Sequence, residues 1–162
     1  MGIRRLNHAV LYIRNVERSV EFYTNVLGFR VVHKLPGAVF LLAPESDNDH
    51  DLGLFEIGAQ AAPSPAGRGS VGLYHLAWSV PTLADLAEHE RRLRAAGALV
   101  GASDHVTTKA LYAMDPDGLE FEVSWLVPQE RVTPQMRSEV AVRPLDIDAE
   151  IARYGAELVG MS

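Results

Sequence analysis

Two histidines and two glutamates recur at matching places in two similar stretches of the sequence. His8 and His75 each lie in a short segment of alternating polar and apolar residues, and Glu56 and Glu122 each follow a phenylalanine near the end of the same stretch. Histidine and carboxylate side chains are rarely buried without a partner, because removing an unpaired polar or charged group from water is costly. A shared divalent metal ion would satisfy them, so we predict a metal site with His8, His75 and Glu122 as its protein ligands.

The ligand types limit which metal this site would hold. Two imidazoles and one carboxylate that leave neighbouring coordination positions open suit Fe(II), and also Mn(II), Ni(II) or Zn(II). Glu56 is the candidate for a fourth protein ligand. The competing interpretation makes each histidine an ordinary hydrogen-bonded core residue, which is the usual state of a single buried histidine. The matched placement of both histidines and both glutamates favours the metal.

The elements that must position these residues are predicted twice along the chain. Residues 6–13 and 73–80 alternate with the period of two that is typical of a strand, and each is followed by an apolar stripe with helical spacing. Helix start and stop signals flank both stripes, with Asn15 and Gly28 in the first and Thr82, Asp85 and Gly97 in the second. Three strand-like segments then follow in each copy, namely 29–34, 38–43 and 51–57, and 99–103, 109–114 and 119–126.

The repeat predicts an α+β fold of two tandem β-α-β-β-β (βαβββ) modules that form a cupped mixed β-sheet with the helices outside. We place the first module at 1–58 and the second at 73–127, joined by a linker at 59–72 that is rich in alanine, proline, glycine and serine. Residues 128–162 form a C-terminal extension without a counterpart in the first module. Within it, 144–154 are predicted to add a helix.

Alignment of the two modules makes Glu56 the counterpart of Glu122. The run Phe55-Glu56-Ile57 then matches Phe121-Glu122-Val123, and strand alternation places both glutamates on the concave face with the two histidines. The apolar residues expected to line the same cup are Leu6, Val10, Tyr12, Leu52, Leu54 and Leu73. They indicate a ligand that is apolar or aromatic in part.

Composition limits the classes of partner. The formal net charge is -6 and charged residues make up 22% of the sequence, so no basic stripe is present to bind the phosphates of a nucleic acid. There are no cysteines, which excludes disulfides and thiolate chemistry. No apolar run is long enough to span a bilayer and no signal segment precedes the first strand, so we expect no membrane partner and a cytoplasmic location.

Glu122 follows the turn Asp115-Pro116-Asp117-Gly118, and this arrangement resembles the vicinal oxygen chelate superfamily. That superfamily includes glyoxalase I, fosfomycin and bleomycin resistance proteins and extradiol ring-cleaving dioxygenases, and the resemblance covers residues 6–127. It implies that the first strand of each module supplies a histidine and the last strand of the second supplies a glutamate, here His8, His75 and Glu122. Leu119 departs from the asparagine that commonly follows the turn.

One branch of the superfamily, the catechol 2,3-dioxygenase-like extradiol enzymes, is matched by further residues. Its signature contains a histidine, an apolar-Tyr pair, a Pro-x-Gly turn and the glutamate ligand, here His105, Leu111-Tyr112, Pro116-Asp117-Gly118 and Glu122. Ser103 departs from the signature, and the run His50-Asp51-Leu52 is similar to a second dioxygenase feature. The resemblance implies that His50 is a general acid and base and that His105 and Tyr112 hydrogen-bond the substrate. Without it, the latter two would be an exposed loop histidine and an ordinary half-buried strand tyrosine.

These residues favour a metal-dependent extradiol dioxygenase, which opens a catechol-like aromatic ring with dioxygen and, by resemblance, uses non-haem Fe(II). Two alternatives stay open. A glyoxalase-type isomerase or lyase would use Glu56 as a fourth ligand and no dioxygen. A resistance-type binding protein would sequester an aromatic natural product, although an intact ligand set argues against it. We also expect a homodimer, in which the modules pair within one chain or across two.

Overall fold

The computed structural model describes residues 2–3 and 5–161. Met1, Arg4 and Ser162, which the predicted first module and C-terminal extension include, lie outside the described residues. The described chain folds as two compact units. The first unit runs to Ser64 and also includes Asp115–Gly118, and the second begins at Pro65 and contains the remainder.

The described residues of the first unit form a four-stranded sheet and one helix. Its elements in chain order are β1 (Ala9–Ile13), α1 (Val16–Asn25), β2 (Arg30–Leu35), β3 (Ala38–Leu42) and β4 (Leu52–Glu56). The strand order is β1-β4-β3-β2, with β1 and β4 parallel and the other neighbours antiparallel. Leu11, Ile13, Leu52 and Leu54 alternate along the two parallel strands and are buried, so their face of the sheet forms the core of this unit.

Helix α1 begins where the sequence predicts. The side chain of Asn15 accepts a hydrogen bond from the Arg18 N–H at 2.8 Å and caps the helix. Glu56 adds a second acceptor, because the Val16 N–H donates to its carboxylate at 2.8 Å. Together the two side chains satisfy backbone donors that a helix start otherwise leaves unpaired. Gly28 follows the helix with a φ of 79°, a left-handed conformation that glycine adopts at no steric cost.

The turn Asp115–Gly118 belongs to the first unit through its two carboxylates. The buried Tyr23 hydroxyl donates to Asp115 at 3.2 Å. The guanidinium groups of Arg14 and Arg18 donate to Asp117 at 2.9 and 2.7 Å. Because the Asp117 side chain is only 5% exposed, two arginines compensate a charge that would be costly to bury alone. From the sequence, this turn is predicted only as the motif that precedes Glu122, and its contacts with the first unit are not predicted.

In the second unit, the part of the chain that the structure describes forms a five-stranded sheet and three helices. Its elements are β5 (Leu76–Ser79), α2 (Leu83–Ala95), β6 (Leu99–Asp104), β7 (Thr108–Met114), β8 (Glu120–Leu126), α3 (Pro134–Ser138), β9 (Arg143–Pro144) and α4 (Ile147–Tyr154), with a 3₁₀ turn at Gln129–Arg131. The strand order is β5-β8-β7-β6-β9, with β5 and β8 parallel. Thr82 and Asp85 form the predicted capping box of α2, whose residues Leu83, Leu86 and Leu93 are fully buried.

The C-terminal extension completes the second unit. Strand β9 pairs with β6, and the Trp125 Nε1–H donates to the Leu158 carbonyl at 3.3 Å. The Met161 N–H donates to the Leu126 carbonyl at 3.0 Å. Gly160 lies so close to β8 that a Cβ on this glycine would be 2.6 Å from the Trp125 indole Nε1. The extension therefore covers the end of β8, and its predicted helix is α4.

The predicted α+β class is confirmed, since each unit combines a mixed sheet with helices. Strands β1 and β5 begin later than predicted, at Ala9 and Leu76, so His8 and His75 directly precede them. Residues 59–72 contain no helix and only an isolated bridge between Gly67 and Ser70. Within the described part of the chain, none of the helices has the length and apolar character needed to cross a membrane.

Candidate functional site

In the second unit, His75 lies between two carboxylates on one face of the sheet. Parallel pairing of β5 with β8 sets Ala77 opposite Glu122, so His75, two residues earlier, faces the same side as Glu120 and Glu122. His75 Nε2 lies 3.3 Å from a carboxylate oxygen of Glu122, and Nδ1 lies 3.5 Å from one of Glu120. The structure therefore makes neighbours of two predicted metal ligands.

Tyr112 and His105 lie beside this pair. Tyr112 is the cross-strand partner of Glu122, and its ring centroid is 5.8 Å from that of His75. Its hydroxyl lies 2.8 Å from His105 Nε2, within hydrogen-bond distance. Burial, followed by the charge of Glu122, raises the pKa of Tyr112. The phenol therefore keeps its proton at neutral pH and is available as a hydrogen-bond donor.

A fully buried lysine supports the hairpin that carries His105. Lys109 Nζ donates to Asp104 and to the Val106 carbonyl, and it forms an ion pair with Glu150 of α4 at 3.0 Å. Val106 has a φ of 70°, an unfavourable conformation for a β-branched residue, and its N–H donates to Asp104 at 2.8 Å. Burial alone would raise the pKa of Asp104, but the hydrogen bonds from Lys109 and Val106 hold that pKa below its usual value. Sequence reasoning missed Lys109, because its strand pattern gives no sign of a partner on α4.

In the first unit, His8 and His50 are in contact. Their ring centroids are 4.6 Å apart, and His50 also meets the ring of Phe40 edge-on at 5.0 Å. His8 Nδ1 lies 2.6 Å from the side-chain oxygen of Asn7, so the tautomer with its proton on Nδ1 leaves Nε2 free. The structure thus places a predicted metal ligand beside the predicted acid and base.

Asp51 organises the loop that presents His50. Its carboxylate accepts three hydrogen bonds, from the Ala43 backbone N–H at 2.8 Å and from the side chains of Ser46 and Asn48 at 2.8 and 2.6 Å. Asn48 also donates to the Asn7 carbonyl at 2.9 Å. Because Asp51 is buried, this network ties the loop before β4 to the segment before β1. In the run His50-Asp51, Asp51 therefore accepts the hydrogen bonds that hold the loop, and the adjacent His50 is the candidate general acid and base.

The prediction that Glu56 shares the face of the histidines is wrong. Parallel pairing of β1 with β4 sets Glu56 opposite the buried Ile13, on the core face, where its carboxylate accepts the Val16 N–H at the start of α1. The same alternation puts Leu52 and Leu54, which were expected to line the cup, in the core. The prediction fails because the similar Phe-Glu-apolar runs differ in strand register: Glu56 pairs with Ile13, whereas Glu122 pairs with Ala77.

The register identifies Gly53 as the counterpart of Glu122. Gly53 pairs with Val10 on β1 and with Phe40 on β3. Glu122 pairs with Ala77 on β5 and with Tyr112 on β7, which are the corresponding strands of the second unit. A Cβ at Gly53 would meet the side chains of Phe55 and Val10 at 3.4 Å. The first unit therefore presents apolar surface where the second presents a carboxylate.

Part of the geometry of a metal site is present in the second unit. Among residues 2–3 and 5–161, no three histidine, aspartate or glutamate side chains lie close enough together to form a complete metal site. The 3.3 Å between His75 Nε2 and the Glu122 oxygen is close to the roughly 3 Å that separates adjacent ligands of one ion with bonds of about 2.1 Å. This pair therefore fits a metal ion.

Two β-α-β-β-β units, each with a histidine directly before its first strand, define a protein built on a duplicated α+β module. The family model of the Glyoxalase/Bleomycin resistance protein/Dioxygenase superfamily matches residues 5–123. The chain belongs to this superfamily, which confirms the resemblance found in the sequence.

The proteins similar to this chain are named for different activities. The chain is 37% identical over 118 residues to a catechol-2,3-dioxygenase of Bacillus subtilis (strain 168), in a match that covers 73% of this chain and 40% of that protein. It is 34% identical over 140 residues to biphenyl-2,3-diol 1,2-dioxygenase 3 of Rhodococcus globerulus, covering 83% and 71%. The solved lactoylglutathione lyase of Agrobacterium tumefaciens is 25% identical, with a TM-score of 0.56 over 76% of this chain and 95% of that chain. The chain thus spans less than half the length of the Bacillus relative.

Proposed function

We propose that this chain carries the site of a metal-dependent extradiol dioxygenase that opens a catechol-like ring with dioxygen. The observation that supports it most directly is Gly53 at the position corresponding to Glu122, with Glu56 directed to α1 instead. A site of His8, His75 and Glu122 then has three protein ligands. Three ligands leave positions for both oxygens of a catechol and for dioxygen, whereas the four-ligand arrangement of a glyoxalase-type lyase leaves too few.

The donor set suits a divalent metal. His75 and Glu122 have the spacing of adjacent ligands, and His8 has a free Nε2 when its proton lies on the nitrogen beside Asn7. We propose Fe(II) as the resident ion, while Mn(II), Ni(II) and Zn(II) suit the same ligand types. When bound, such an ion supplies Lewis-acid activation of a chelating catechol and an open position for dioxygen.

The chain's own side chains are proposed to bind the ring and to move protons. His50, in contact with His8, takes a proton from a catechol hydroxyl and later returns one, as an imidazole can near neutral pH. Tyr112 donates a hydrogen bond to a substrate oxygen, and His105 orients its hydroxyl. Phe40 and Phe55 meet edge to face at 5.8 Å and provide an apolar wall for the ring.

The proposed ligand set predicts which substitutions abolish metal binding. After anaerobic loading with Fe(II) and removal of free metal, His75→Ala and Glu122→Ala should retain almost none, because each removes one of three ligands. The matched control is Glu56→Ala, which should keep the metal, because that carboxylate serves α1. Elemental analysis measures the occupancy. Full occupancy in His75→Ala would disprove the ligand assignment.

The activity is tested by oxygen uptake with the iron-loaded protein and a panel of catechols with small and aryl substituents. We expect dioxygen consumption stoichiometric with catechol and the absorbance of a ring-opened product. The alternative, a glyoxalase-type lyase, is favoured by the likeness to lactoylglutathione lyase. Formation of lactoylglutathione from a hemithioacetal of glutathione by the metal-loaded protein, with no oxygen uptake on any catechol, would replace the dioxygenase by that alternative.

A further inference from the structure

Glu120 approaches the nitrogen of His75 that faces away from Glu122. Its carboxylate oxygen is 3.5 Å from Nδ1, and the Glu120 side chain is only 17% exposed. Nδ1 itself is buried and, among the residues that the structure describes, has no partner with hydrogen-bond geometry. A buried polar nitrogen therefore faces a half-buried acceptor that is a few tenths of an ångström too far for a hydrogen bond.

Strand geometry explains how one imidazole meets both carboxylates. Glu120 and Glu122 are two residues apart on β8, so their side chains leave the same face of the sheet. β5 lies parallel beside β8, and His75 immediately precedes β5 on the same face. The ring then lies between the two glutamates, with one nitrogen directed to each.

In a metal-bound histidine, one ring nitrogen coordinates the ion and the other donates a hydrogen bond. A ligating nitrogen must be free of its proton, so a ring that binds through Nε2 carries the proton on Nδ1 and needs an acceptor there. His8 has such an acceptor in Asn7, whose side-chain oxygen is 2.6 Å from Nδ1. Glu120 is placed to do the same for His75.

We propose that Glu120 is a positioning residue for the metal site: it accepts the Nδ1–H of His75, and so fixes the tautomer and the ring orientation that direct Nε2 toward the metal. The inference rests on the proposed function, because it requires His75 to be a ligand. An ordinary half-exposed glutamate at the start of a strand would have no effect on metal affinity. Loss of a hydrogen-bonded partner behind a ligand typically weakens metal binding about 10- to 100-fold.

The test is anaerobic titration of the full chain with Co(II), whose visible spectrum reports its coordination independently of any turnover. Glu120→Ala should weaken Co(II) binding by roughly 10- to 100-fold. Glu120→Gln should recover most of the affinity, because its amide oxygen still accepts the Nδ1–H. The control is Glu157→Ala, which changes an exposed glutamate of the same unit and should bind as the unaltered protein does. Thermal melting of each variant checks that it is folded.

A second measurement reads the proton directly. In the Zn(II)-loaded protein, the nitrogen chemical shifts of His75 should show the Nδ1–H tautomer, with a proton shift that changes in Glu120→Ala. Unchanged Co(II) affinity in folded Glu120→Ala, while His75→Ala loses the metal, would overturn the inference and leave the proposed function intact. Retention of Co(II) by both His75→Ala and Glu122→Ala would overturn the proposed function, and the inference with it.

Discussion

His8, His50 and His75 each lie near polar groups suited to orienting an imidazole. Asn7 lies against Nδ1 of His8, and Glu120 faces Nδ1 of His75. His50 is presented by a loop whose turns are hydrogen-bonded to the buried carboxylate of Asp51. An imidazole is useful as a ligand or as a proton carrier only when a particular nitrogen points at the reacting group, so these neighbours are as important to the proposed chemistry as the rings.

At the residue scale, His50→Gln should separate proton transfer from binding. The variant should keep Fe(II) and still bind a catechol, because His50 is not a proposed ligand, but turnover should fall by roughly a factor of a hundred to ten thousand. Stopped-flow mixing of the anaerobic catechol complex with oxygen measures the step. His33→Gln is the matched control, since His33 lies exposed on β2. An oxygen reaction of normal rate in His50→Gln would remove His50 from the mechanism.

At the scale of elements, the hairpin between β6 and β7 is held by a charge cluster that reaches the C-terminal extension. Lys109 is fully buried and lies between Asp104 of β6 and Glu150 of α4. A buried cation is tolerated only when its partners and hydrogen bonds compensate the loss of water. This cluster gives the extension a role that its sequence did not reveal, because the hairpin carries His105.

Lys109→Met should therefore be strongly destabilising. It removes the cation that lies between two carboxylates, and losing one partner of a buried ion pair costs roughly 3–5 kcal/mol of the free energy of unfolding. Urea denaturation at neutral pH measures the loss. Arg91→Ala removes an exposed ion pair with Glu88 on α2 and should change the midpoint little. Equal midpoints for the two variants would show that the buried cluster contributes nothing.

The same cluster predicts the sign of a pH effect. Because the folded pKa of Asp104 is lowered, its contribution to stability is present above the unfolded carboxyl pKa of about 3.9 and is lost as the pH falls through the lower folded value. The stability of Lys109→Met should depend less steeply on pH in that acid range.

Sequence alone predicted the elements better than their register. Local signals identify the Asn15 cap and the Thr82–Asp85 capping box, because caps depend on residues within one helical turn. Pairing between β1 and β4 depends on hydrogen bonds between strands about forty residues apart, and a slip of one residue exchanges the two faces. That is why Glu56 was assigned to the wrong face and Gly53 was overlooked.

At the scale of the molecule, the described chain is a duplicated module with an added segment that packs on the second copy. The last described residues return to β8, where the Leu126 carbonyl accepts the Met161 N–H, and to the turn between β5 and α2, where the Pro81 carbonyl accepts the Gly160 N–H. The indole of Trp125 is fully buried and donates to this same segment. This segment therefore packs over part of the core of the second unit.

Gly160→Ala tests this packing. A Cβ would lie 2.6 Å from both the Leu126 carbonyl oxygen and the Trp125 Nε1, so the segment would have to move, at a cost of roughly 1–3 kcal/mol in the free energy of unfolding. Gly69→Ala is the control, because a Cβ there meets nothing within 4 Å. Differential scanning calorimetry compares the two. A melting temperature for Gly160→Ala equal to that of the control would place the segment away from the core.

The pairing of Gly53 with Val10 and Phe40 has an evolutionary consequence. Some glycine codons become glutamate codons by a single nucleotide change, and the ordinary van der Waals spacing around Gly53 admits a Cβ. If the two modules descend from one ancestral gene, gain or loss of a carboxylate here is a short mutational path between a three-ligand and a four-ligand site. Sites with three and with four protein ligands would then be neighbouring states of one inherited scaffold, and both dioxygenases and lyases are among the proteins similar to this chain.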